Sequence, residues 1–173
     1  MLFPEKLNEF RVFANDKPNL LGVSDIELPE LNSMTETVNG AGIYGEYESP
    51  NYGHLESMQL KISWRVITDE LTDFYKPDGI KIDCRLVNQH FNTKTRKHEI
   101  TPSRVLVHGA VTKNSLGKVE KGSPYEGSSE VEIHYIKIED KGKVLYEYDR
   151  HNYIYKVDDV DYGEKLRELL GIL

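Results

Sequence analysis

The segment Ser57-Met-Gln-Leu-Lys-Ile-Ser-Trp64 alternates without a break. Met58, Leu60, Ile62 and Trp64 fall on one side, and Ser57, Gln59, Lys61 and Ser63 on the other. Successive side chains of a strand point to opposite faces, so period two demands a sheet with one dry face and one wet face. A helix would scatter the same four apolar residues over two sides of its axis. The chain must therefore build at least part of its core by sheet packing.

Further segments repeat the pattern. Phe10 and Val12 flank Arg11 in a short first strand. Leu20–Leu28 is a second, ending at Pro29, and Leu31–Val38 is a third or a continuation of the second past a kink at Pro29. Ile80–Leu86 places Ile80, Ile82, Cys84 and Leu86 on one face. Arg104–Thr112 and Ser128–Ile138 form a long pair around a Gly-, Ser- and Lys-rich loop, Asn114–Gly127. Asp140–Lys143 is a tight turn joining Tyr135–Glu139 to Val144–Tyr148, and Tyr153–Val157 is a further strand. A short helix is predicted from an N-cap at Thr68, with Leu71, Phe74 and Tyr75 inward and Pro77 and Gly79 as its stop. A terminal helix follows the capping-box spacing of Asp161 and Glu164, with a stripe of Leu166, Leu169 and Leu170 and Gly171 as its stop. The expected class is mainly β, antiparallel, with one internal and one C-terminal helix. At 173 residues with no linker, a single domain over 1–173 is expected.

Gly40, Gly42 and Gly45 have the spacing G-x-G-x-x-G. A dinucleotide cradle needs a buried strand before the glycines and a helix N-terminus after them. Here the preceding strand alternates polar and apolar, and Ser49, Pro50, Asn51 and Gly53 follow, all turn and loop formers. Glu46 and Glu48 would also stand against any bound phosphate. The stretch 39–56 reads instead as an extended loop between strands. It carries Ile43, Tyr44, Tyr47, Tyr52 and Leu55, and exposed aromatics of that kind suit a partner surface.

Other chemistries find little support. The net charge of −7 argues against a nucleic-acid binder. The basic run Lys94–His98 reads as a solvated hairpin tip. The six histidines lack zinc spacing, and Asp158, Asp159 and Asp161 break the EF-hand register, reading instead as acids at the start of a helix. There is no G-x-S-x-G, and Cys84, the single cysteine, reads as core packing in a reducing compartment. No enzyme, cofactor, metal or membrane anchor is expected. The first residues are too charged for a signal peptide.

The wet faces remain to be explained. Ser33, Thr35 and Thr37 share one face, Ser57, Gln59, Lys61 and Ser63 another, and Glu130, Glu132 and His134 a third. Long strands with polar faces need water beside them, and open edges invite pairing. Closure of several copies into a wet-walled barrel answers both requirements.

Taken in order, the segments resemble the major tail tube proteins of contractile-tailed phages and of R-type phage-tail-like bacteriocins. The resemblance runs through Pro4–Asp16, Leu21–Val23, Leu28–Leu31, Asn39–Gly45, Met58–Trp64, Lys143–Asp149, Asn152–Val157 and the terminal helix up to Leu173, and is weakest over 86–127. It implies a β-barrel or sandwich subunit in stacked hexameric rings, inside a sheath. Such a tube conducts DNA in a phage, or ions in a bacteriocin particle, and is assembled in the bacterial cytoplasm. The implied partners are further copies, the sheath protein, baseplate tube-initiating proteins and a tape measure protein. By this resemblance the strands at 31–38, 57–64, 104–112 and 128–138 would line an acidic lumen. Gly40, Gly42, Ile43, Tyr44, Gly45, Tyr47, Tyr52 and Leu55 would lie on a contact loop between subunits or rings. The alternatives are a type VI secretion-like ring protein and a monomeric β-sandwich binding module.

Overall fold

The alternating segment forms a strand, β5 (Gln59–Trp64), with Leu60, Ile62 and Trp64 buried and Gln59 exposed. In this computed structural model, residues 1–17 and 22–172 are described. The other strands are β1 (Leu2–Ala14), β2 (Val23–Glu27), β3 (Ser33–Asn39), β4 (Glu46–Leu55), β6 (Gly79–Asn92), β7 (Lys97–Ser115), β8 (Gly127–Asp140), β9 (Lys143–Asp149), β10 (Ile154–Val157) and β11 (Val160–Asp161). A 3-10 turn, Asp69–Leu71, runs into α1 (Thr72–Tyr75), and α2 (Glu164–Leu170) closes the chain. No described helix is long and apolar enough to cross a membrane.

The β8 strand organises the sheet. One edge pairs with β7, which pairs with β6 and through it with β1. The other edge is shared: Gly127–Glu132 pairs with β5, and Tyr135–Asp140 with β9. Every pairing is antiparallel. The β8–β9 connection is the expected tight turn, with Lys141 and Gly142 both at positive φ, as a two-residue hairpin turn of matching twist requires.

The inward faces meet in one core. Val12, Ala14, Ile82, Cys84, Val107, Val131, Ile133, Ile136, Leu60 and Ile62 are buried together, and each of the Val, Leu and Ile side chains contributes about 1.5–3 kcal/mol by leaving water. Trp64 meets Phe74 of α1 edge to face at 5.1 Å between centroids. The Trp64 indole N–H donates to the Ser129 hydroxyl (3.1 Å), which bonds Asn114 (2.7 Å), whose amide donates to the Phe74 carbonyl (3.0 Å). This relay satisfies buried polar groups that would otherwise be costly, and it fixes α1 against β7 and β8.

Several expectations change. The first strand is long, and its outer part, Leu2–Glu9, is exposed apart from half-buried Leu2 and pairs with Val87–Asn92. The read strands 80–86 and 104–112 likewise extend to Asn92 and back to Lys97. The outer parts of β1, β6 and β7 form an arm beyond the core, with no inward face to create alternation. Of the second predicted strand, Leu20 and Leu21 lie outside the described residues, as does Leu173. Tyr75 is exposed, because α1 ends after one turn and only Leu71 and Phe74 reach the core. At the C-terminus the N-cap is Gly163, without a side-chain capping bond. Asp158 and Asp159 form the positive-φ turn between β10 and β11. Asp161 accepts instead from the Arg167 guanidinium at 2.5 Å and the Gly163 N–H at 3.0 Å, so an ion pair replaces the capping box. Gly171 does end α2, in the left-handed conformation (φ 70°).

Asp83 is a buried carboxylate on the outer side of β6. Burial raises its pKa, but the Arg104 hydrogen bonds at 2.8 and 2.9 Å and the charges of Arg104 and Arg85 outweigh this, holding it below the usual range. Asp161 is also held low, first by its bond from Arg167. A carboxyl depressed in the folded state adds stability above its unfolded pKa of about 4 and loses it as pH falls through the folded value. The urea midpoint should therefore stay level from pH 7 to about 5 and fall below about pH 4. Asp83→Asn should lower the neutral-pH midpoint and flatten this acid limb. An unchanged acid limb in that variant would remove Asp83 from the account.

Candidate functional site

On the outward side of the sheet, register brings polar side chains into rows. Gln59 stands opposite Glu132, Lys61 opposite Glu130 and Ser63 opposite Ser128. On the β7 side, Ser128 faces Ser115, Glu130 faces Lys113 and Glu132 faces Ala110. The Ser57 hydroxyl lies 2.9 and 2.7 Å from the two Glu132 carboxylate oxygens, and the Lys113 ammonium lies 4.0 Å from Glu130. Two lysines thus stand among two glutamates. The centre of this face is charge-balanced, where the resemblance implied an acidic lumen. Lys113 escaped that reading because a bulge after Val111 shifts the face of β7 by one residue.

His134 sits where β8 changes partners, at a break in the β7 register between His108 and Gly109. Its ring packs edge-on against His151 at 5.2 Å, so it marks the border of the wet face.

Ser33, Thr35 and Thr37 are exposed on β3, but among the described residues β3 pairs with β4 alone and forms a separate two-stranded sheet. The structure therefore does not join them by hydrogen bonds to the rows on β5, β7 and β8. Met34 and Glu36, on the other face of β3, are exposed as well, so neither face has a core to choose. Thr37 donates to Glu48 across the hairpin at 2.6 Å.

The stretch read as an extended loop is thus a β-hairpin. Only residues 40–45 form its turn. Gly40, Gly42 and Gly45 have φ of 131°, 90° and 100°, and the Ile43 N–H donates to the Gly40 carbonyl at 3.2 Å. A strand, not a helix, follows the last glycine, so no helix N-terminus faces these glycines as a phosphate cradle requires. Ile43, Tyr44, Tyr47 and Tyr52 are exposed. Leu55, expected among them, is buried, because it lies at the hairpin base where β4 enters the core.

That base is held by Arg150 and Tyr148, which the sequence did not single out, and by Tyr52, which it had placed on the contact loop. The Arg150 guanidinium donates to the Leu55 and Glu56 carbonyls and to the Ile133 carbonyl of β8. The Tyr148 hydroxyl donates to the Gly53 carbonyl at 3.0 Å, and the Tyr52 hydroxyl to the Tyr162 carbonyl at 3.1 Å. The hairpin is thus anchored at one end and free at the other. On α2, Leu169 and Leu170 of the predicted stripe are exposed too, and Leu166 is half-buried.

The geometry describes a surface-bearing scaffold. Among the described residues no group of three or more His, Cys, Asp or Glu is placed to hold a metal. No curated protein matches the chain. A family model does: residues 4–171 match phage tail tube protein FII. The match includes the middle region where the resemblance was weakest. The chain therefore belongs to the phage tail tube protein FII family, and its role is structural, in the tube of a virion tail, and not enzymatic.

Proposed function

We propose that the chain is a single tail tube domain that assembles as stacked hexameric rings inside a contractile sheath. The row of polar cross-strand pairs on β5, β7 and β8 lines the channel, through which DNA passes in a phage or ions in a bacteriocin particle. The β3–β4 hairpin, the β1 arm and the C-terminal segment join neighbouring copies and rings. Baseplate proteins start the tube, a tape measure protein sets its length, and assembly takes place in the bacterial cytoplasm.

The observation that carries this reading is the pairing of Gln59, Lys61 and Ser63 with Glu132, Glu130 and Ser128, on a sheet whose opposite face holds the core. Such a face stays wet in a channel wall, and its balanced charges offer a polyanion neither a trap nor a strong barrier.

Hollow rings or tubes are expected in negative stain when the purified chain is nucleated by baseplate. A Gln59→Cys variant then reports the lumen. In the free subunit it should react with both a small maleimide and one carried on a large polyethylene glycol. In the tube it should react with the small reagent and resist the large one by an order of magnitude or more. Cys84 gives no background, being buried, with its thiol pushed up to about 11, first by burial and then by the Asp83 charge. Equal labelling by the large reagent in tubes and free subunits would place this face outside the channel.

A further inference from the structure

The chain's charge is unevenly spread. Between Lys17 and Lys61 there is no Lys or Arg, while Asp25, Glu27, Glu30, Glu36, Glu46, Glu48 and Glu56 all fall there. Those seven carboxylates equal the whole net charge of −7, so the rest of the chain is neutral in sum. Three of them, Glu36, Glu46 and Glu48, lie on the β3–β4 hairpin and are exposed. Among the described residues none of the three has a basic partner, and no hydrogen bond or ion pair joins the hairpin to β6 or β7.

The opposite charge lies at the tip of the arm. The β6–β7 turn presents Lys94, Arg96 and Lys97, all exposed, and no ion pair joins them to a carboxylate among the described residues. This tip is preorganised. The Asn92 side-chain carbonyl accepts from the backbone N–H groups of Lys94 (3.0 Å) and Thr95 (3.3 Å), and Arg96 takes positive φ as its N–H closes back on the Asn92 carbonyl. Behind the tip, β1 adds a third strand and His98 meets Glu5 at 3.3 Å. Among the described residues the protein therefore carries two projections of opposite charge, each anchored at its base and with no ion-pair partner for the charges named at its end.

We propose that the acidic β3–β4 hairpin of one copy docks on the basic β6–β7 tip of a neighbouring copy. The inference rests on the tube reading and supplies it with a specific contact. The two surfaces are unlike, so the contact is head-to-tail and propagates from copy to copy, as a closed ring or a stack requires. Complementary charge sets register and speeds encounter, and it makes hairpin-to-hairpin and tip-to-tip approaches unfavourable. The exposed tyrosines of the hairpin add apolar contact once the charges have aligned the copies.

Charge reversal tests this. One variant carries Glu36→Lys and Glu46→Lys, so that hairpin and tip are both basic. The other carries Lys94→Glu and Lys97→Glu, so that both are acidic. All four positions are exposed, so circular dichroism and thermal melting should match the parent within error. Each variant alone should assemble, with baseplate present, roughly a hundredfold less than the parent. An equal mixture should recover assembly, because the basic hairpin of one variant then meets the acidic tip of the other. Normal tubes from either variant alone, or no recovery in a mixture of two folded variants, would overturn the docking while leaving the tube reading in place. Normal tubes that fail only to take up sheath would overturn it too, by showing that the charges serve another partner. A parent chain that forms neither rings nor tubes, even with baseplate, would remove both readings.

Discussion

A Gly109→Ala chain is expected to lose at least about 3 kcal/mol of stability, seen as a fall of roughly 6–12 °C in melting temperature. A Cβ built on Gly109 stands 2.0 Å from the Glu132 carbonyl oxygen and 2.9 Å from its carbon. Those are backbone atoms of the adjacent strand, which cannot rotate away. The clash falls at Glu132, where β8 leaves β5, just before it takes up β9 at Tyr135. Pushing β7 and β8 apart there would disturb the Ile133 N–H bond to the Met58 carbonyl (2.9 Å) and part Val131 and Ile133 from the core. Gly79→Ala is the internal control. Its Cβ would meet only the Gly109 carbonyl oxygen, at an ordinary 3.5 Å, so its midpoint should move by about 1 kcal/mol or less. Equal effects of the two substitutions would show that glycine flexibility, and not the close approach at Gly109, sets the cost.

Nothing in the local sequence announces Gly109, because the approach is made by a strand some twenty residues further on. The same distinction separates what was legible elsewhere. β5 declared itself because Leu60, Ile62 and Trp64 each face the core, while Gln59 is exposed and Lys61 and Ser63 are only half-buried. β4 was missed because it is an edge strand of a two-stranded sheet. There Pro50 costs no essential ladder bond and Gly53 is tolerated, so a composition typical of loops forms a strand on the template of β3. The outer half of β1 was missed for a related reason: Leu2–Glu9 has no buried face, and its order comes from pairing with β6.

The candidate site divides along the same line. The rows on β5 and β8 followed from alternation, which survives because both strands also face the core. Their pairing with one another, and the place of Lys113 beside Glu130, depended on register and on a bulge, which no single segment encodes. The anchor's Arg150 was invisible, since it sits in the turn-like run Asp149–Asn152 and the hairpin carbonyls it holds, those of Leu55 and Glu56, lie some ninety residues earlier. Leu55 illustrates the converse error. Its neighbours Tyr47 and Tyr52 are exposed, and Leu55 differs from them in lying at the hairpin base, where β4 enters the core.

The glycine spacing at 40–45 supports the second large effect. Gly42→Val is expected to leave the subunit folded, with a melting temperature within about 3 °C of the parent, and to reduce tube assembly by an order of magnitude or more. A Cβ at Gly42 meets nothing within 4 Å, so no core contact opposes it. The cost is in the backbone: φ is +90°, a region that a β-branched residue enters only with strain. With no packing to hold the turn in place, the strain is relieved by rearranging residues 40–45, and this displaces Ile43, Tyr44 and the adjacent Glu46. The core lies beyond the Arg150 and Tyr148 anchor and does not sense the change. If the hairpin joins copies, the altered tip cannot dock. Rings and tubes counted in negative stain after baseplate nucleation, beside the melting curve, separate the two effects. Tubes in parental number from a folded Gly42→Val chain would remove the hairpin tip from the assembly contact, and a chain that fails to fold would show that the turn also supports the core.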